Sequence, residues 1–205
     1  MTLGQQDEKD NQLKIPQGIA ADSQGRITVG DEWDCDVKVY DSSGKFRYSF
    51  PCPPSGDPNT VSSIADIATD DSDNAYILIE VEKSTMAYYQ VYVFTKQSVI
   101  QCFSLREEHR KVLRMTLNKE NEVLVIADVL DQSCSKSIVE VYNKARQFMR
   151  SFGEQHLKCS QDLTVAGDGR ILVLDKDDDC SLTIHVFFPN GKHSFQFNVD
   201  KQEEP

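Results

Sequence analysis

Ile19-Ala20-Ala21-Asp22-Ser23-Gln24-Gly25-Arg26-Ile27-Thr28-Val29-Gly30-Asp31 is a short apolar alternation, a polar turn, and a second apolar alternation that ends in an acid. Side chains two apart on a strand share a face, so this pattern predicts a β-hairpin. It returns at Ile67 to Glu80, Met115 to Asp128 and Leu163 to Asp175. The matching turn positions read as Gly25, Asn74, Asn121 and Gly169, spaced by 49, 47 and 48 residues. Glycine and asparagine accept the positive φ that a tight hairpin demands, which ties the repeat to backbone geometry as well as to hydrophobic rhythm. The closing acids Asp31, Glu80, Asp128 and Asp175 fall at 49, 48 and 47.

A third strand follows in each copy: Val37 to Tyr40, Val91 to Phe94, Val139 to Tyr142 and Ile184 to Phe187. β-Branched residues two apart, then an aromatic, suit a pleated surface with a packed face. Turns such as Asp41-Ser42-Ser43-Gly44 and Pro189-Asn190-Gly191 lead to a fourth strand carrying Phe46 and Phe50, Ile100 and Phe103, Phe148 and Phe152, or Phe195 and Phe197. Only Leu105 to Leu113 offers a candidate turn of helix.

The chain is therefore expected to be all-β, a β-propeller-like array of four four-stranded antiparallel blades. A lone meander that is apolar on both faces cannot bury itself, and radial stacking of such sheets makes a propeller. A β-sandwich, the competing architecture, needs no period. The expected blades are 15–50, 61–103, 112–152 and 157–197, with an extended or disordered 1–14 and a tail at 198–205.

The stretch from Ile15 to Asp31, continued by Val37-Lys38-Val39-Tyr40-Asp41-Ser42-Ser43-Gly44-Lys45-Phe46, closely resembles an NHL repeat. The segment from Leu163 to Phe197 resembles it well, and the two middle copies more loosely. NHL propellers commonly have six blades and often end tripartite-motif proteins, whose upstream RING and B-box modules serve ubiquitin ligation. The resemblance thus implies an open arc of a six-bladed propeller and a non-catalytic protein-interaction module, the substrate-reading part of such a ligase. Its alternatives are an RNA-binding NHL module and a fragment of a propeller hydrolase or lyase. Open outer faces would favour self-association.

Charge narrows the partners. With 22 Lys and Arg against 33 Asp and Glu the net charge is −11, so phosphate backbones are repelled and a basic or mixed-charge protein is the expected partner. No apolar run approaches the roughly 20 residues of a membrane-spanning helix. Residues 1–10 carry neither a basic nor an apolar leader pattern, which gives a cytoplasmic expectation. Six scattered cysteines without a Cys-x-x-Cys pair read as free thiols.

In a meander, the loops joining second to third strands gather on one rim, and here they collect acids. Trp33, Asp34, Asp36, Tyr88, Tyr89, Asp177 and Asp178 are the expected partner-binding residues, aromatic anchors beside charge. The strand-end acids are expected to cap amides of the loop that follows them. The Asp-rich loops at 70–74 and 175–179 lack the glycine and glutamate of a twelve-residue calcium loop, so no metal site is assigned. His109, His156, His185 and His193 occupy unrelated repeat positions and form no His-x-x-x-His pair; His185 is expected to be a packing or surface residue. No Gly-x-Ser-x-Gly occurs. No catalytic residue and no cofactor is expected.

Overall fold

A computed structural model describes residues 12–33, 35–52, 60–83, 86–96, 98–106, 109–131, 134–177 and 181–199. All its regular structure is β, in four antiparallel sheets of four strands, each in simple sequential order. The strands are β1 (Pro16–Ala21), β2 (Ile27–Asp31), β3 (Asp36–Tyr40) and β4 (Phe46–Pro51), then β5 (Thr60–Thr69), β6 (Ala75–Lys83), β7 (Met86–Thr95) and β8 (Ser98–Ser104). The second half has β9 (His109–Leu117), β10 (Val123–Asp131), β11 (Cys134–Tyr142) and β12 (Phe148–Phe152), then β13 (Cys159–Val165), β14 (Ile171–Lys176), β15 (Leu182–Phe187) and β16 (His193–Asn198). The candidate helical turn is replaced at His109 by the start of β9, whose alternation pairs it with β10.

Two compact units result, residues 1–107 and 108–205, with two sheets each. In the first, Val37, Val39 and Phe50 of one sheet pack on Ile64, Ile77, Ile79 and Phe94 of the other. In the second, Leu124, Ile126, Val139 and Val141 meet Leu163, Ile171, Val173 and Phe187. The same aromatic contact joins the sheets in each unit: Phe50 to Phe94 at 4.7 Å between ring centroids, and Phe152 to Phe187 at 5.1 Å. A phenylalanine at the end region of a fourth strand packs against the third strand of the next sheet.

The hairpin turns sharpen the repeat. Positive φ occurs at Gly25, Asp73, Asn121 and Gly169, each 48 residues after the last. The second copy departs from expectation, because Asp73 and not Asn74 takes the left-handed conformation. The cause is local: Asp70 Oδ1 accepts the Ser72 and Asn74 amides at 2.9 Å, and the Asp73 amide donates to the Asp70 carbonyl at 3.0 Å. This side-chain-capped turn is the Asx type.

Every first strand also carries a register shift, at Gly18, Ala65, Leu113 and Gln161. Gly18 has φ +71, and a Cβ there would lie 2.7 Å from the Ile67 amide nitrogen and 2.9 Å from the Asp66 Cα. Backbone meets backbone between the two sheets at this point. Gly18→Ala is expected to cost about 3 kcal/mol, combining left-handed strain with overpacking. Urea unfolding followed by circular dichroism measures it, and an unchanged midpoint would refute the close approach.

Candidate functional site

The strand-end acids are structural, though their partners differ from those expected. Asp31 is fully buried and accepts the Lys14 and Ile15 amides at 3.0 Å, capping the entry to β1 and not the loop ahead. Its Oδ2 also accepts from the Lys38 ammonium at 2.6 Å, and that ammonium donates again to the Gln12 carbonyl. Burial pushes the Asp31 carboxyl up, but the Lys38 hydrogen bond and the two amides outweigh it and hold it below its ordinary value. Asp175 repeats the motif in the second unit, accepting the Lys158 and Cys159 amides at 3.1 Å and the Ser160 hydroxyl at 2.8 Å. Asp128 accepts from the Ser137 hydroxyl and Glu80 from the Tyr89 hydroxyl. The acid binds whichever strand start or neighbouring strand offers donors.

The expected partner-binding residues have unlike environments. Trp33 is 68% exposed, in a turn closed by the Cys35 amide on the Glu32 carbonyl. Tyr89, in contrast, is 2% exposed with its hydroxyl on Glu80, so it is a core residue and no surface anchor. Tyr88 is half-buried against the core of the first unit. Asp36 lies within β3, paired with Asp31 and Pro51, and Asp177 accepts the Ser181 amide at 2.8 Å, closing its own loop. Asp34 and Asp178 lie outside the described residues. A groove of about 240 Å³ in the first unit is lined by Asp22, Arg26, Tyr48, Asp73 and Lys96. Its acids are engaged by Arg26 and by turn amides.

The second unit holds what repeat-aligned reading overlooked. His156, His185 and His193 place one ring nitrogen each within 4.8 Å of one another. His185 sits on β15 and His193 opens β16; the antiparallel register pairs Phe187 with His193, bringing the two imidazoles to 3.4 Å, Nδ1 to Nε2. His156 comes from the connection between β12 and β13. There Gly153, at φ +99, lets its carbonyl accept the His156 and Leu157 amides at 2.8 Å, and Asp175 clamps the next two amides. The His156 and His193 rings stack at 3.9 Å between centroids, 14° apart. Phe187 supports the group, its ring 5.3 Å from His193 and 6.2 Å from His156.

Two of the three imidazoles, His185 and His193, are shifted downward. Burial pushes His185 below its ordinary value, the Asp175 carboxylate pulls the other way, and His193 and His156 add to the lowering. Burial also lowers His193, with His156 reinforcing it. Neutral nitrogen is the form that ligates metal. Zinc–nitrogen bonds near 2.0–2.1 Å give a tetrahedral edge of about 3.3 Å, the spacing that His185 and His193 already have. The exposed His156 has to tilt out of its stack to complete the set. Expecting no metal site therefore overlooked a set of three nitrogen donors suited to zinc, copper or nickel.

No family model matches the chain, and no curated protein matches it. Solved structures do match. Kuenenia stuttgartiensis hydrazine synthase superposes with a TM-score of 0.67 at 10% identity, covering 97% of this chain and 53% of that one, so this chain spans about half its length. Virginiamycin B lyase from Staphylococcus aureus gives 0.54 at 9% identity over 98% of this chain and 74% of its own. A putative gluconolactonase gives 0.59 at 13% identity over 87% and 61%. At such identities the likeness shows the fold, which is that of β-propeller blades. It also corrects the expectation of a non-catalytic module without enzyme activity, because these matching structures are named as enzymes.

Proposed function

We propose that the chain is a metal-dependent propeller enzyme, or the metal-bearing part of one, of hydrolase or lyase type acting on an ester or lactone bond. The observation that carries this is the convergence of His156, His185 and His193 from three separate elements, with burial pushing His185 below its ordinary value. The names of the lyase and the putative gluconolactonase support the reaction class. The NHL assignment of the blades rests on the strand and turn pattern of Ile15 to Phe46.

His156, His185 and His193 would hold a zinc-type ion, which would supply hydroxide or Lewis-acid chemistry at neutral pH. The protein's part is to hold the nitrogens. Asp175 anchors the segment carrying His156, and the β15–β16 register sets His185 against His193. Exposure of His156 puts one side of the cluster toward solvent.

Calorimetric titration with zinc and turnover of a panel of lactones and aryl esters test the reading together. One ion should bind per chain, and His193→Ala should lose both binding and turnover. Zinc binding without turnover of any ester or lactone would overturn the enzymatic reading, leaving an ion that staples two blades. Absence of zinc, copper or nickel binding would overturn the site itself.

A further inference from the structure

The first unit contains a second reactive arrangement, unconnected with the histidines. Cys35 ends the turn after β2 with φ +49, and Cys52 is the first residue past β4. The β3–β4 ladder pairs Asp36 with Pro51, so the next rung sets Cys35 opposite Cys52. The Cys52 amide donates to the Cys35 carbonyl at 2.8 Å, extending the ladder to that rung. Directly opposed residues in an antiparallel pair have Cα atoms about 4.5–5.5 Å apart, within the span that a disulfide bridges.

We propose that Cys35 and Cys52 form a peroxide-sensitive dithiol, with Cys35 as the attacking sulfur and Cys52 as the resolving one. The two environments differ. The Cys35 thiol donates to the Ser62 carbonyl at 3.4 Å. The neighbouring Cys52 thiol lowers Cys35, against the opposing effects of burial and Asp36. The interaction with Cys35, and then burial at the edge of the core, push Cys52 upward. Cys35 is half-buried and so reachable by a small oxidant. The thiolate, not the thiol, is the nucleophile, and low-pKa accessible cysteines beside a resolving partner are the ones that oxidise.

In the first step the Cys35 thiolate attacks one oxygen of hydrogen peroxide. The O–O bond breaks, giving Cys35 sulfenic acid and a hydroxide that takes a proton to become water. In the second step Cys52 sulfur attacks the Cys35 sulfur, the S–O bond breaks, and hydroxide leaves with the Cys52 proton as a second water. Two thiols are oxidised and one peroxide is reduced. The disulfide ties the turn bearing Trp33 to the chain leaving β4.

Full-length reduced protein treated with stoichiometric hydrogen peroxide tests this. Peptide mapping should find a Cys35–Cys52 linked peptide with two hydrogens lost, reversed by a thiol reductant, while the exposed Cys102 and Cys159 still alkylate. In Cys52→Ser, dimedone should label Cys35, and the wild-type chain should show little label. Differential alkylation of the wild-type chain gives the same ranking without any variant. Oxidation of Cys102 or Cys159 ahead of Cys35, or absence of the linked peptide, would overturn the proposal.

Discussion

Replacing Asp31 with alanine is expected to lower unfolding free energy by about 3–5 kcal/mol, because it removes one member of a fully buried ion pair. Asp31 is 0% and Lys38 1% exposed, with 2.6 Å between the charged atoms. The carboxylate also satisfies two amides at the entry to β1, which lose their acceptor with it. The companion test separates pair from packing. Asp31→Leu combined with Lys38→Met replaces both charges by apolar groups and should recover most of the loss, since a well-packed apolar pair often equals a buried salt bridge. Equal destabilisation in the double variant would show that the capped amides dominate. The pH dependence follows from the sign of the shift. Asp31 is held below its ordinary value of 3.8, so its contribution is complete above that value and is lost as pH falls through the lower folded-state value. The wild-type chain should shed this stability in acid, and Asp31→Ala should show a flatter acid limb in urea midpoints.

Phe187→Ala is the second large effect, expected at about 3–5 kcal/mol. The side chain is fully buried, joins two sheets through Phe152, and lies beneath the histidine cluster. Its loss opens a cavity between sheets and removes the support that fixes the imidazoles. Zinc affinity should therefore fall by about tenfold or more, the usual scale for losing an outer partner of a metal site. Phe187→Leu keeps most of the volume and should cost about 1.5 kcal/mol with smaller loss of affinity. If Phe187→Ala unfolds the chain, the leucine variant still decides whether affinity follows packing. Unchanged zinc affinity in a folded Phe187 variant would detach the aromatic from the site.

The repeat and the hairpins were legible because their causes are local. Alternation selects a face, and a turn needing positive φ restricts residue choice at one position, so four blades could be read before any contact was known. Even there one position slipped: asparagine is the more familiar left-handed residue, yet the Asp70 side chain captures the Asn74 amide and leaves the conformation to Asp73. Partners were not legible to the same degree. The strand-end acids announced a structural role, but their donors lie 16 and 17 residues back, on a segment that pairing alone brings alongside. Tyr89 looked like an anchor because it was expected in the loop joining second and third strands, whereas β7 already begins at Met86 and turns Tyr89 inward toward Glu80.

The sequence by itself determined a four-unit β meander with an acid at the end of each second strand, since alternation and turn residues act within a few positions of each other. Only the tertiary structure decided the histidine cluster. His156, His185 and His193 stand at unrelated places in the repeat, and none is at helical spacing from another. They meet because the β15–β16 register sets two strands side by side and a glycine turn, clamped by Asp175, carries a third imidazole over them. Nothing local to any one histidine encodes that meeting. The physical reason is that ligand convergence is a property of strand pairing and sheet stacking, which no single segment of chain contains.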